Sequence, residues 1–521
     1  MRPVLSCKSV PGHKVANNAK SRWIIDCLNS HSWHSIPVYQ ISFFIRSVSA
    51  LKTRRDFLQF SAWAVAVAAL SRNTQLWSQP VEPLRPVRGW ITSGTQRFAA
   101  FEVPQWQEAA SIASLDIRVN PASRKQSILG FGAAFTDSSC YVISQMPDQN
   151  RQALMKELFG SEGMRFSVCR TCIGASDYSR DAYTYDDGAE PDPEMKRFSI
   201  DHDRTYILPS LAAARVLNPE LFLFGSPWSP PGWMKSGGSI LGGSMRKRYL
   251  EAYARYFVRF LEAYAAAGVK INAVTVQNEV DTDQDGRMPA CLWGQEYEEA
   301  FVRDWLGPAL KKASLDTKIW ILDHNYNLWG RAMDELSDKG VNRYVDGVAW
   351  HGYVGTVDAM SRVHNAFPDK HAYWTEGGSD YSSPDYTTDW GKWSQTFTGI
   401  LRNWGSCIVG WNLALDEHGK PNIGPFECGG LVTVESRTYR VVRSGQYWAL
   451  AHYSKAIQRG ARVLASEGAV SGVEHVAVEN PDGSRALIMT NQGEARAVDC
   501  GLGSARLHVS MPRDSVATLV W

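Results

Sequence analysis

Two short strings place a glutamate at the end of an apolar, β-branched run: Gln277-Asn278-Glu279 and Trp374-Thr375-Glu376-Gly377-Gly378. A parallel (β/α)8 barrel keeps its reacting groups at such strand ends. Two carboxylates at one barrel mouth suit glycoside hydrolysis, in which one group protonates the leaving oxygen and the other attacks the sugar or deprotonates water. Beside the negative charge of a second glutamate, the proton on Glu279 is expected to be held to higher pH, as a general acid at neutral pH requires.

The elements that must position these groups are legible as eight apolar runs separated by amphipathic stretches: Ser127–Phe135, Phe166–Gly174, Leu221–Ser229, Ile271–Glu279, Lys318–Asn325, Val345–Tyr353, His371–Gly377 and Cys407–Leu415. Strands alternating with helices predict an α/β fold, here a (β/α)8 TIM barrel over residues 125–458. The near-continuous Val, Ile, Leu and Phe content suits strands buried on both faces. Helices are expected over Asp148–Phe159, Arg204–Leu217, Ser244–Gly268 and Gln295–Ala313, with a last barrel helix over Arg443–Gln458 that turns Tyr447, Leu450, Ala451 and Ser454 to one face. Residues 82–120 and 462–521 differ. They hold alternating segments such as Ser114–Val119, His475–Val478, Ala486–Thr490 and Ser515–Trp521, with Asn480-Pro481-Asp482-Gly483 as a turn, and predict an accessory β-sandwich built from both chain ends. The paired glycines Gly237-Gly238 and Gly242-Gly243 suggest a mobile rim loop.

The 521 residues leave room for a barrel with an accessory domain. A formal charge of +2 with 21% charged residues gives no basic excess for nucleic acid and no acidic tail. Twenty tryptophans exceed ordinary usage; indole faces stack on sugar C–H faces, although large aromatics also dominate any core. Arg54-Arg55 precede the apolar run Ser61–Leu70, which looks like a twin-arginine export signal over 51–80 and implies a periplasmic or secreted protein. That run is about half the length of a membrane span, so no stable span is expected once the signal is removed. Residues 1–50 carry no clear periodicity and are read as a non-native or disordered extension from a start set too far upstream.

Of nine cysteines, seven fall in the folding region, an odd count at scattered spacing that makes no disulfide framework. Cys169-Arg170-Thr171-Cys172 has redox or zinc spacing without a second pair, and alternate positions of a buried strand explain it as well. No HExxH and no clustered His, Cys and Asp set is visible, and neither nucleotide-binding glycine motif occurs, so no metal or cofactor is expected.

Five strings carry a resemblance: Gly130-Phe131-Gly132-Ala133-Ala134-Phe135-Thr136-Asp137, Ser226-Pro227-Trp228-Ser229-Pro230-Pro231-Gly232-Trp233-Met234-Lys235, Gln277-Asn278-Glu279, Trp374-Thr375-Glu376-Gly377 and Trp411-Asn412-Leu413-Ala414-Leu415. In this order, across residues 85–521, they resemble glycoside hydrolase family 30, the glucosylceramidase family. The resemblance implies a retaining β-glycosidase with Glu279 as acid/base after strand four, Glu376 as nucleophile after strand seven, and a side β-sandwich. It further implies Arg170 beside the nucleophile, Asp177 on sugar hydroxyls and Asn278 on the 2-hydroxyl. Trp228 and Trp411 are candidate walls of the reacting-sugar subsite or core residues, and His351 and Tyr353 end strand six at the same mouth. The substrate expected is a carbohydrate or glycolipid with a β-linked glucose, the alternatives being endo-β-1,6-glucan and β-xyloside or β-fucoside cleavage. A carbohydrate-binding protein on an inactive barrel would predict a lost carboxylate, and both are present. At the junction, Arg459 stands where many family members carry proline.

Overall fold

The computed structural model describes residues 85–109 and 115–521. The extension expected over 1–50, the signal over 51–80, the start of the segment from 82, and Ser114 lie outside the described residues. No helix among the described residues is long and apolar enough to cross a membrane.

Seven of the eight apolar runs contain, and the eighth overlaps, a strand of one closed parallel barrel: β1 (Gly130–Phe135), β2 (Val168–Cys172), β3 (Phe222–Ser226), β4 (Ala273–Thr275), β5 (Lys318–Asn325), β6 (Val345–His351), β7 (His371–Glu376) and β8 (Gly405–Gly410), the last starting before its expected Cys407. Neighbours pair in chain order, and β8 closes on β1 through Cys407 to Gly410 against Gly130 to Ala133. The lower barrel is filled by Val168, Phe224, Ala273, Trp320, Ala349, Tyr373, Cys407 and Val409. Trp320 stacks on Tyr373 with centroids 3.9 Å apart. This aromatic plug makes the barrel interior a packed core rather than a pore. Two residues further along, period-two alternation turns Arg170, Ser226, Thr275, His351 and Thr375 inward as a polar layer above it.

On β5 the alternation breaks. Ala349 pairs with Leu322 but Trp350 pairs with His324, so Asp323 is an extra residue, and Leu322 and Asp323 have φ of 71° and 45°. This β-bulge re-aims the Asp323 carboxylate into the polar layer. The Leu322 amide is satisfied by Glu298 Oε1 at 3.0 Å, and Arg331 in turn holds Glu298 and Glu335.

Among the helices, Asp148–Phe159 spans its expected residues. The helix expected from Ser244 starts at Leu250, because Met245 and Ser244 are committed to bridges with Lys235 and Leu292. The paired glycines therefore sit in a loop pinned at its base: Lys235 is buried and its ammonium donates to Ser229 Oγ, the Ile240 carbonyl and the Ala290 carbonyl. The stretch from Gln295 to Lys312 is interrupted by a π-helical turn, Phe301–Leu306, just before Pro308, whose ring nitrogen has no proton for an i−4 bond.

The last barrel helix is Gly445–Ser454, capped by Ser444, whose Oγ accepts from the Tyr447 amide. Its expected one-sided burial is replaced by burial all round except at Trp448, because the barrel packs on one side and the sandwich on the other. The sandwich has a ten-stranded sheet in which segments from the two chain ends interleave. Ile117–Ser127 lies between Arg462–Glu467 and Arg496–Leu502, and Ser515–Val520 lies between Arg88–Ser93 and Arg485–Asn491. A small three-stranded sheet of Ala414–Leu415, Val432–Val434 and Val441–Arg443 was not foreseen. At the junction, Arg459 donates to the carbonyls of Leu129, Glu220 and Ser167, which closes the floor of the barrel.

Candidate active site

Asp323 is the hub of the polar layer. Its Oδ2 accepts from Arg170 Nη2 at 2.7 Å, Ser226 Oγ at 3.0 Å and Thr275 Oγ1 at 2.7 Å, and its Oδ1 accepts from Thr375 Oγ1 at 2.7 Å and His351 Nε2 at 3.1 Å. Burial alone would raise its pKa, but the Arg170 charge and the hydrogen bonds hold it well below the usual carboxylate range.

Arg170 is wholly buried and spends every face on the site. Nη1 donates to Glu376 Oε2, Nη2 also to Asn278 Oδ1 at 2.8 Å, and Nε to Ser226 Oγ at 3.0 Å. Its guanidinium lies 4.6 Å from the Trp228 ring centroid and 5.5 Å from that of Trp411. Trp228 and Trp411 stack on each other at 5.1 Å, and each is only 2% exposed. They wall the buried arginine rather than stand open to a sugar. Glu376 receives a second hydrogen bond on Oε1 from Tyr353 Oη at 3.0 Å. The Tyr353 ring is half-exposed while its hydroxyl faces the carboxylate.

Glu279 follows β4 by four residues in a left-handed backbone conformation, φ 53°, a strain that persists where the surroundings enforce it. They do so here: its amide donates to the Asp323 carbonyl at 3.1 Å, and the Asn278 amide to the Pro227 carbonyl at 2.8 Å. Gln277 is locked by Trp228 O and by the Trp293 indole N–H. Glu279 Oε2 accepts from Gln284 Nε2 at 3.1 Å, while Oε1 lies 3.4 Å from His351 Nδ1 and 3.7 Å from His324 Nδ1. The same His351 nitrogen is 3.8 Å from Glu376 Oε1. One imidazole therefore bridges the two glutamates and holds their nearest oxygens within about 7 Å, which accommodates the close pair of a retaining site.

The protonation pattern corrects an expectation. Burial raises the Glu279 pKa, but the close approach and charge of His351, with His324 behind it, outweigh it and hold Glu279 below its ordinary value. The proton is held instead by His351: burial opposes it, yet the charge of Glu376, the bond to Asp323 and the nearness of Glu279 raise its pKa to about 9. Asp177 behaves oppositely. It is buried, and desolvation plus the charges of Glu376 and Glu279 push its carboxyl well above the usual range.

The sequence reasoning brought together Glu279, Glu376, Arg170, Asn278, His351 and Tyr353, and missed Asp323, His324, Ser226, Thr275, Thr375 and Gln284. It also missed a donor cluster: Glu279, His324 and His351 present three ligand atoms within 4.8 Å of one another, residues scattered in sequence that the barrel gathers. Cys169 and Cys172 are free buried thiols on β2, as are the other described cysteines apart from the half-buried Cys428. A groove of about 750 Å³ lies between the outer helices near Ile143, Tyr206 and Ala213, but no carboxylate lines it.

Compared with known proteins, residues 128–457 match the glycosyl hydrolase family 30 TIM-barrel domain and residues 460–519 the family 30 beta sandwich domain. An endo-1,6-beta-D-glucanase of Neurospora crassa is 36% identical over 78% of this chain and 84% of its own length. The lysosomal acid glucosylceramidase of Mus musculus is 28% identical over 78% of this chain and 83% of its own. A solved endo-beta1,6-glucanase superposes with a TM-score of 0.77 at 29% identity, covering 84% of this chain and 100% of that one. Both domains match in order and the relatives align over most of their length: the chain belongs to glycoside hydrolase family 30.

Proposed function

We propose that this hydrolase cleaves β-1,6-linked glucan with retention of configuration, Glu376 acting as nucleophile and Glu279 as acid/base. The observation that carries the mechanism is the single His351 nitrogen lying between the two carboxylates. Arg170 and Tyr353 hold Glu376 by one oxygen each and so fix its attack direction. In the first step the leaving oxygen takes a proton from the Glu279–His351 pair as Glu376 bonds to the anomeric carbon. In the second, the pair withdraws a proton from water, which opens the glycosyl ester. Neutralising Glu376 in the ester removes the charge that most raises the His351 pKa, so the pair releases its proton when the leaving group needs it. In this reading Asp177 and Asn278 hydrogen-bond the reacting sugar, as the family resemblance implies.

The substrate reading is supported by the identity to the Neurospora endo-1,6-beta-D-glucanase and by the likeness to the solved one. Glucosylceramide is the second reading, favoured by the mouse relative. The twin-arginine-like segment supports export, checked by the location of a tagged Arg54→Lys, Arg55→Lys variant. Purified protein is tested on a linear β-1,6-glucan, on glucosylceramide, and on p-nitrophenyl β-glucoside, β-xyloside and β-fucoside. Release of oligosaccharides from the glucan with little turnover of the others supports the reading, and selective cleavage of glucosylceramide overturns the substrate choice.

A further inference from the structure

Both rings of the His324–His351 pair are buried, and the Nδ1 of each lacks a hydrogen-bond partner. Both atoms face Glu279 Oε1, at 3.7 and 3.4 Å, and the three lie within 4.8 Å of one another. A tetrahedral cation with bonds of about 2.0–2.1 Å has ligand atoms about 3.4 Å apart; the two oxygen–nitrogen separations already match this, and the two rings must close on each other to complete it.

The opposite edge of each ring is fixed by a carboxylate. His324 Nε2 lies 2.5 Å from Asp281 Oδ1 and His351 Nε2 3.1 Å from Asp323 Oδ1. A carboxylate behind an imidazole keeps the proton on the near nitrogen, so a cation that displaces the proton of the far nitrogen meets a lone pair already aimed at it, which is how metal-bound histidines are oriented. Neither carboxylate is required to satisfy Nδ1, and both rings are thereby aimed at one point. The surrounding charge has the same sense: Glu279, Glu376, Asp281 and Asp323 encircle the point, while every arm of Arg170 is committed elsewhere. Two imidazoles and one carboxylate suit late first-row divalent ions and leave a further position for water.

From these observations we propose that Glu279, His324 and His351 bind a divalent cation of the zinc class, and that the bound cation reversibly inhibits hydrolysis by occupying the oxygen Glu279 uses for proton transfer. Binding stands on the donor geometry alone; inhibition rests on the assignment of Glu279 above.

The full chain, stripped with a chelator, is titrated with Zn2+ by calorimetry and with Co2+ by visible absorption, with hydrolysis followed in parallel. One Zn2+ per chain, Co2+ bands of a low-coordinate nitrogen and oxygen site, and loss of hydrolysis that EDTA restores are expected. His324→Gln removes stoichiometric binding. Asp281→Asn, which leaves all three ligands in place, weakens it about 10- to 100-fold. His508→Gln, at the exposed His508–Asp499 pair, leaves binding unchanged. Absence of binding to folded wild-type protein, or equal binding by His324→Gln and Asp281→Asn, overturns the site, and binding without inhibition overturns its regulatory role. Zn2+ binding that depends on His324 in a protein inactive on every β-glycoside would leave the site standing and remove the proposed activity; normal hydrolysis without binding would do the reverse.

Discussion

The Asp323 carboxylate and the Arg170 guanidinium meet at 2.7 Å with both side chains fully buried. A buried ion pair of this kind adds little net stability over an apolar pair, because desolvation offsets the attraction. What it supplies here is position. Asp323 fixes one arm of Arg170, the next arm fixes Glu376, and the other Asp323 oxygen fixes His351 and Thr375, the residue before Glu376.

Asp323→Asn tests that hub. An amide presents donors where five donors already converge, so the variant is expected to lose about 3–5 kcal/mol in urea unfolding and to lose activity beyond what the unfolded fraction accounts for. Wild-type kcat in a folded Asp323→Asn protein would contradict the positioning role.

Tyr353→Phe deletes the hydrogen bond to the Glu376 carboxylate and the acceptor of the Gly378 amide, and leaves the half-exposed ring in place. Hydrogen bonds to charged groups contribute about 1.5–3 kcal/mol, so kcat/KM should fall roughly 10- to 100-fold with an unchanged melting temperature. Steady-state kinetics and thermal unfolding of the pair of proteins decide it.

His351 has a signature in pH. Its folded pKa, about 9, lies above the ordinary imidazole value, so its stabilising contribution is complete below about 6.5 and is lost as pH rises through 9. The alkaline limb of kcat/KM should fall with it. In His351→Asn the proton reverts to Glu279 alone, and the alkaline limb moves to lower pH while activity drops about 100-fold or more. An unchanged alkaline limb would remove His351 from the proton inventory.

His452 acts at the other end of the pH range. It joins barrel to sandwich, with Nδ1 2.8 Å from Thr518 Oγ1 and Nε2 2.9 Å from Thr92 Oγ1, and burial lowers its pKa to about 3. A depressed histidine pKa gives stability that is whole above about 6.5 and shrinks as pH falls toward 3, because only the unfolded chain takes the proton. His452→Gln should flatten that acid slope in denaturant titrations between those limits; the buried His475, lowered to about 4, supplies a remainder.

The barrel was legible because strands buried on both faces write themselves as unbroken apolar runs, and the helix Asp148–Phe159 because its pattern is uninterrupted. Alternation also places Ser226, Thr275 and Thr375, each two residues past a plug residue, so these three were within reach. On β5 the same rule names Leu322, and only the bulge substitutes Asp323; no local sequence signal announces an extra residue whose amide is satisfied by a distant Glu298. The Glu279 protonation was misread for a related reason, since a second carboxylate nearby was visible in the sequence, whereas the approach of His351 to Glu279 and the presence of His324 behind it were not. The one-sided pattern expected of Gly445–Ser454 failed because a helix covered by two domains has no solvent face to mark.

The measurement that tests the central claim most directly is the anomeric configuration of the first product, followed by proton NMR on a β-1,6-linked gluco-oligosaccharide, with Glu376→Gln alongside. The β-anomer should appear first and mutarotate slowly toward the α/β equilibrium mixture, and the variant should be slower on the order of 1000-fold or more while remaining folded. An α-anomer formed first, or a Glu376→Gln protein with near-normal turnover, would contradict a double displacement through Glu376.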